Sequence, residues 1–305
     1  MLGMRCLAGA LVFWLAASGA RAQSAREVQD LFARGKERYS RNDFDGAAAD
    51  FTRVIEIFNG LGRAASGMAT GFDRVRAVDP RAAPAYCNRG LARYRGGDVD
   101  GAMADYDRAI SLNPRLADAY INRGAARLAR HDVDGALSDY NRAIEISPRD
   151  PESFNNRGIA LQAKGDLAGA LADFDRALAL RPQQGATYFN RGYARYESGD
   201  YRAAIADLDR AIELMPDVAV GYLTRGTARL NLKEMDRALA DFERALEVDP
   251  RLALAYGNRG IIRLHQGREE EAQRDFERCL ALDPGLKPKV EERIQAIKAQ
   301  LRGKP

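Results

Sequence analysis

Residues 83–116 read "APAYCNRGLARYRGGDVDGAMADYDRAISLNPRL", and how this stretch folds decides the architecture. Two helices are expected within it, Ala83–Arg95 and Val99–Leu112. Gly96-Gly97-Asp98 separates them, and Asn113-Pro114 ends the second, because proline cannot continue a helix and restricts its predecessor. At about 100° per residue, Tyr86, Gly90, Arg93 and Tyr94 share one face of the first helix, with Arg89 at its edge and Asn88 on the opposite side. On the second helix Ala102, Tyr106 and Ala109 form a packing stripe flanked by Met103 and Ile110, and Asp107 points away from it.

The stretch is one of a series. "YCNRG" at 86 returns as "YINRG" at 120, "FNNRG" at 154, "YFNRG" at 188, "YLTRG" at 222 and "YGNRG" at 256, always at the same interval. A solitary glycine loop cradling phosphate does not recur in this way. Gly90, Gly124, Gly158, Gly192, Gly226 and Gly260 stand in register with Ala102, Ala136, Ala170, Ala204, Ala238 and Ala272. Small residues at these positions let the two helix backbones approach, with aromatic rings such as Tyr106 filling the space beside them. Proline closes every unit, at 114, 148, 182, 216, 250 and 284.

These residues resemble the tetratricopeptide repeat, a helix-turn-helix unit of matching length with aromatic, Gly, Ala, aromatic, Ala and Pro at matching places. The resemblance implies an all-α fold, a right-handed α-solenoid superhelix of antiparallel helix pairs. Residues 83–286 carry six units. A diverged first unit in residues 23–82 keeps Gly35, Asn42-Asp43-Phe44, Ala47, Asp50-Phe51 and Arg53. The distance from Gly35 to Gly90 exceeds the interval from Gly90 to Gly124, so this unit carries an insertion. The insertion, residues 58–79, includes "NGLGRAASGMATG" and reads as a glycine-rich surface loop, with partner contact as the sharper alternative. Residues 287–305 place Val290, Ile294, Ile297 and Leu301 along one side of a helix. This is expected to cap the open end, or otherwise to bind a partner.

Residues 1–22 have a basic start at Arg5, an apolar run from Cys6 to Ala17, and the small-residue ending Ala20-Arg21-Ala22. They read as a secretory signal peptide cleaved between Ala22 and Gln23, which predicts an exported, periplasmic protein. The apolar run is well short of the roughly 20 residues that span a bilayer, so no integral membrane segment is expected in the mature chain. Cys6 stands at the start of the apolar run, not after it at a cleavage site, and is not placed as a lipid-bearing cysteine. The remaining thiols, Cys87 and Cys279, lie too many repeats apart to pair within one array and are expected to be buried.

Loss of Arg5 and Arg21 would lower the net charge from +4 to +2, which is no nucleic-acid footprint. Few of the 47 basic residues are lysine, and arginine favours planar, bidentate carboxylate partners. Arg89, Arg123, Arg157, Arg191, Arg225 and Arg259 stand where the family often has leucine. Arg93, Arg127, Arg195, Arg229 and Arg263 form a second column, broken by Leu161. The acidic column runs Asp105, Asp139, Asp173, Asp207, Asp241 and Asp275, each followed at i+3 by arginine. An internal latch between first and second helix is expected, in preference to an anion-binding groove, and the i,i+3 spacing also suits pairing along the helix.

The asparagine column is Asn88, Asn122, Asn156, Asn190 and Asn258, interrupted by Thr224. Because first helices of tetratricopeptide superhelices line the concave groove, the resemblance implies a ladder of carboxamides pointing into it. There each could match one peptide group of an extended ligand. The alternative is that they are solvated or bond across neighbouring repeats. Ile121, Ile159, Phe189 and Tyr193 complete the expected peptide groove, with Leu91, Leu223 and Ile261 nearby and Asp118 and Glu152 adding acid. The Lys and Asn pairing of a carboxylate clamp is missing.

His131 and His265 are the only histidines and lie in repeats far apart, and no metal-ligand spacing or nucleophile with a base emerges. The expectation is therefore an adaptor for a protein or peptide partner, engaged in envelope-associated assembly, without a catalytic site, metal or cofactor. The alternative is an oligomeric scaffold using the convex face or the first-repeat insertion.

Overall fold

The computed structural model describes residues 19–65 and 79–302, with side chains over 23–60 and 79–299. Residues 1–18 of the expected leader lie outside the described residues, as do residues 66–78 of the expected insertion and the side chain of Leu301. Every regular element among the described residues is helical. The chain divides into two compact units, residues 1–166 and 167–305.

The first unit holds α1 (Gly19–Ser40), α2 (Phe44–Ala65), α3 (Ala83–Arg95), α4 (Val99–Leu112), α5 (Ala117–Ala129), α6 (Val133–Ile146) and α7 (Pro151–Lys164). α1 packs on α2, α3 on α4 and α5 on α6, and each second helix also meets the first helix of the next pair. The first helices α3, α5 and α7 touch one another in turn. The bounds of α3 and α4 are those the sequence dictates. α2 differs from expectation: it continues to Ala65, so residues 59–65 of the glycine-rich stretch are helix and not loop. Val54, Ile55 and Phe58, packed with Val28 and Leu31 of α1, anchor the turn from which it continues.

The second unit holds α8 (Leu167–Leu180), α9 (Gly185–Glu197), α10 (Tyr201–Leu214), α11 (Ala219–Asn231), α12 (Met235–Val248), α13 (Ala253–His265), α14 (Glu269–Leu282) and α15 (Lys287–Arg302). α9/α10, α11/α12 and α13/α14 are the pairs, with α9, α11 and α13 as touching neighbours. α15 lies against α13, where Val290 and Ile297 are buried with Ile261 and Leu264, and Ile294 is partly buried.

Packing within each pair follows the small-residue scheme. Ala102, Ala136, Ala170, Ala204, Ala238 and Ala272 are all fully buried. A Cβ placed on Gly90 would come within 2.7 Å of Tyr106 Cε1, so only glycine admits the ring at that depth. Aspartates begin several second helices: Asp98, Asp132 and Asp200 accept hydrogen bonds from the main-chain N–H at i+3, at 2.8, 2.9 and 3.1 Å. The turns between paired helices need one left-handed residue. Gly97, Gly165, Gly199 and Gly267 supply it, but His131 and Lys233 adopt φ of 63° in the same role.

Candidate functional site

The charged columns resolve into a repeated ionic fork. Arg89 Nε and Nη2 donate to Asp105 at 2.9 and 2.6 Å, and Arg93 Nη1 donates to the same buried carboxylate at 2.9 Å. Asp139 is held in the same way by Arg123 and Arg127, Asp207 by Arg191 and Arg195, Asp241 by Arg225 and Arg229, and Asp275 by Arg259 and Arg263. Each of these first-column guanidinium groups also lies over the aromatic ring at i−3, from Arg89 over Tyr86 at 5.2 Å to Arg225 over Tyr222 at 5.7 Å. A flat, delocalised cation can serve the fork and the ring together, which accounts for arginine over lysine. Burial lowers the Arg123 pKa, but its hydrogen bonds to Asp139 and Asp107 outweigh this and hold it above the ordinary value.

Two details go beyond the sequence reading. Asp107, expected to point away from its helix's packing stripe, does so and there accepts from Arg123 of the following repeat at 2.6 Å, a link the sequence reading did not include. Asp175 serves Arg191, Asp209 serves Arg225, and Asn141 serves Arg157 likewise. This column ties one repeat to the next and was missed because a helix wheel of one pair has no second repeat in it. The arginines that follow the acidic column have partners of their own. Arg142, Arg210 and Arg244 meet Glu145, Glu213 and Glu247, each at 2.7 Å.

The asparagine ladder is a correction. Asn88, Asn122, Asn156, Asn190 and Asn258 are all buried, between 0% and 8% exposed, so they do not present carboxamides to an open groove. Asn122 Nδ2 donates to Cys87 Sγ of the preceding first helix at 3.4 Å, and Asn258 Nδ2 donates to Thr227 Oγ1, also at 3.4 Å. Arg293 of α15 then donates to Asn258 Oδ1 at 2.9 Å. The physical reason is that successive first helices lie side by side, giving each a second packed face opposite the one turned to its own partner. Asn88 Nδ2 and Oδ1 are buried without a hydrogen-bond partner. Ile121, also placed in the expected groove, is likewise buried, at 1% exposed. Cys87 and Cys279 are buried and form no disulfide.

Ile159 and Phe189 are partly exposed, and Tyr193 is exposed. Phe189, Tyr193 and Tyr196 follow one another at helical spacing on α9, with ring centroids 6.3 and 6.2 Å apart and planes inclined by 15° and 28°. Tyr201, at the start of α10, adds a fourth ring 5.6 Å from Tyr196. Three large apolar side chains stand exposed among the described residues: Tyr193 at 39%, Val220 at 42% and Leu254 at 45%. All three belong to first helices of the second unit, and Val220 and Leu254 occupy the same repeat position on α11 and α13. Tyr196, Val220 and Leu254 escaped the sequence reading. The signal was present in the column Ala186, Val220, Leu254, which grows more apolar along the chain without acquiring a charge.

Among the described residues no group of metal-ligating side chains is assembled, and no helix is long and apolar enough to cross a membrane.

Three family profiles match the chain: one described as "Tetratricopeptide repeat" at residues 225–302, one as "TPR repeat" at 90–130 and 126–165, and another "Tetratricopeptide repeat" profile at 155–219. No curated protein matches it. Among solved structures, a tetratricopeptide repeat protein from Parabacteroides merdae superposes with a TM-score of 0.61 at 20% identity, covering 90% of this chain and 99% of its own. The Cut9–Hcn1 hetero-tetramer of APC/C gives 0.64 at 17% identity, covering 88% of this chain and 55% of its own. PilW, a widely conserved type IV pilus biogenesis factor, gives 0.58 at 20% identity, covering 70% of this chain and 97% of its own. At these identities the likeness is one of fold. With profiles matching well over half of its residues and the helix pairs packed as described, the chain belongs to the tetratricopeptide repeat family.

Proposed function

We propose that this protein is an exported interaction adaptor that takes up an extended segment of a partner protein on the first-helix face of its second unit, in the assembly of an envelope complex. Repeat solenoids bury their recurring positions between neighbours and leave the first-helix surface for extended ligands. What carries the reading is that Tyr193, Val220 and Leu254, the large apolar side chains exposed among the described residues, all stand on first helices of the second unit, Val220 and Leu254 at one repeat position on helices that touch. Scattered exposed hydrophobics need no explanation, but gathered ones mark contact surfaces. In this reading the asparagines hold successive first helices in register and the partner meets the aromatic and aliphatic columns instead. Export rests on the leader-like residues 1–22.

The test combines Tyr193→Ala, Val220→Lys and Leu254→Lys in one chain and compares its crosslinked partners in the native envelope with those of the wild type. Loss of the same partner bands, with an unchanged circular dichroism melt, is expected. Retention of every band would remove the second-unit face from the account, and recovery of cytosolic partners alone would remove export.

A further inference from the structure

The adaptor reading leaves the chemistry of the partner open, and the chain's own arginines narrow it. Outside the buried forks, Arg142, Arg210 and Arg244 are partly exposed, and each is placed by a glutamate and a tyrosine. Arg142 donates to Glu145 at 2.7 Å, and Glu145 first and Tyr120 next keep its pKa above the ordinary value. Arg210 is placed in the same way by Glu213 and Tyr188. Arg244 follows with Glu247 and Tyr222, its guanidinium 5.9 Å from the centre of the Tyr222 ring. The carboxylate takes the charge and the N–H donors, while the ring offers a face, and a flat, delocalised cation uses both.

One more tyrosine and glutamate stand together in the second unit, this time on a single first helix. Tyr193 and Glu197 lie one turn apart on α9, and both are exposed. Burial, and after it the negative charge of Glu197, push the Tyr193 pKa up, so the carboxylate stands near the ring. Phe189 and Tyr196 extend the ring surface, with centroids 6.3 and 6.2 Å from Tyr193. The two arginines of α9 itself, Arg191 and Arg195, are both held by Asp207.

Resting on the adaptor reading, we infer that the partner segment carries an arginine, whose guanidinium lies on the Tyr193 ring and pairs with the Glu197 carboxylate. The arrangement is the one the chain makes with Arg244, Tyr222 and Glu247, with the cation supplied from outside. An acidic side chain in its place would meet the like charge of Glu197. A neutral one would forgo both the ring quadrupole and the carboxylate.

The experiment titrates the full chain into fluorescein-labelled Ala-Val-Ala-Arg-Ala-Val-Ala, and into the same peptide with citrulline or glutamate in place of arginine, following anisotropy at low salt. Saturable binding of the arginine peptide is expected. Citrulline, which keeps the shape and removes the charge, should bind about tenfold more weakly, and glutamate more weakly still. Tyr193→Ala and Glu197→Gln should each weaken the arginine peptide about fivefold, and Glu197→Gln should also narrow its advantage over citrulline. Glu197→Gln, a near-isosteric change at an exposed position, serves as the second variant should Tyr193→Ala alter the melt. Absence of saturable binding, equal or tighter binding of the citrulline or glutamate peptide, or indifference to both substitutions would overturn the inference. So would light scattering that shows a dimer dissociated by Leu254→Lys, since a second copy would then cover the face. If the envelope partners are lost in the triple variant while the arginine peptide fails to bind the wild type, the partner's arginine alone is wrong and the adaptor reading stands.

Discussion

The two units share one repeat and one ionic fork, yet their first-helix faces have diverged. At the second residue of the first helix the first unit carries Asp118 and Glu152, and the second carries Ala186, Val220 and Leu254. Ala125 in the first unit is fully buried, whereas Tyr193, its counterpart two repeats on, is 39% exposed. The forks at Asp139 and Asp241 are nearly superimposable in their distances. What is held constant builds the solenoid. What is free to vary is the surface a partner would meet, and in the second unit it has become apolar.

The sharpest way to break this contrast is a pair of alanine substitutions. Ile121→Ala removes a buried side chain and should cost about 3 kcal/mol in urea unfolding, while Tyr193→Ala should cost under about 1 kcal/mol. Equal costs would mean that Tyr193 is core and the faces do not differ. Breaking the fork should hurt both units alike: Asp139→Ala or Asp241→Ala leaves two partly buried guanidinium groups without their shared carboxylate, an expected loss of about 3 kcal/mol. Asp107→Ala, whose carboxylate is 60% exposed, should cost no more than about 1 kcal/mol. A large effect there would make the link between repeats, and not the fork within them, the main ionic support.

Smaller changes should go the other way. Tyr140 is fully buried and its hydroxyl has no hydrogen-bond partner, with burial pushing its pKa up. The matching position is Phe174 or Phe242 in the second unit. Tyr140→Phe should therefore be neutral or stabilise by about 1 kcal/mol, and a clear loss of melting temperature would mean the hydroxyl is engaged. His131→Gly in the first unit and Lys233→Gly in the second relieve left-handed turn residues and should each raise stability by about 0.5 kcal/mol, partly offset by chain entropy.

Much of this was legible in residues 83–116. Proline and the Gly-Gly-Asp break fix the bounds of α3 and α4, and acid and base recurring in one rhythm announce the fork. Legibility ended where a second repeat was needed. Asn122 lies opposite the face turned to α6, so a single helix pair leaves it in solvent; only the neighbouring first helix, with Cys87, buries it. For the same reason the link from Arg123 to Asp107 is invisible in one repeat and plain in two. Exposure of Val220 and Leu254 depends on how deeply each column sits between neighbouring first helices, which spacing alone does not state. α2 outlasted its glycines because helix anchored by Val54, Ile55 and Phe58 has no proline to stop it before Ala65.

Site-specific photocrosslinking tests the central claim most directly. A photoreactive phenylalanine analogue at position 193, on the first-helix face of the second unit, is compared with one at position 206, an exposed alanine on α10. Both are expressed in the native envelope and the adducts compared by mass. The account predicts a discrete partner adduct from position 193 and none from 206. An adduct from 206 alone, or equal adducts from both, would contradict it.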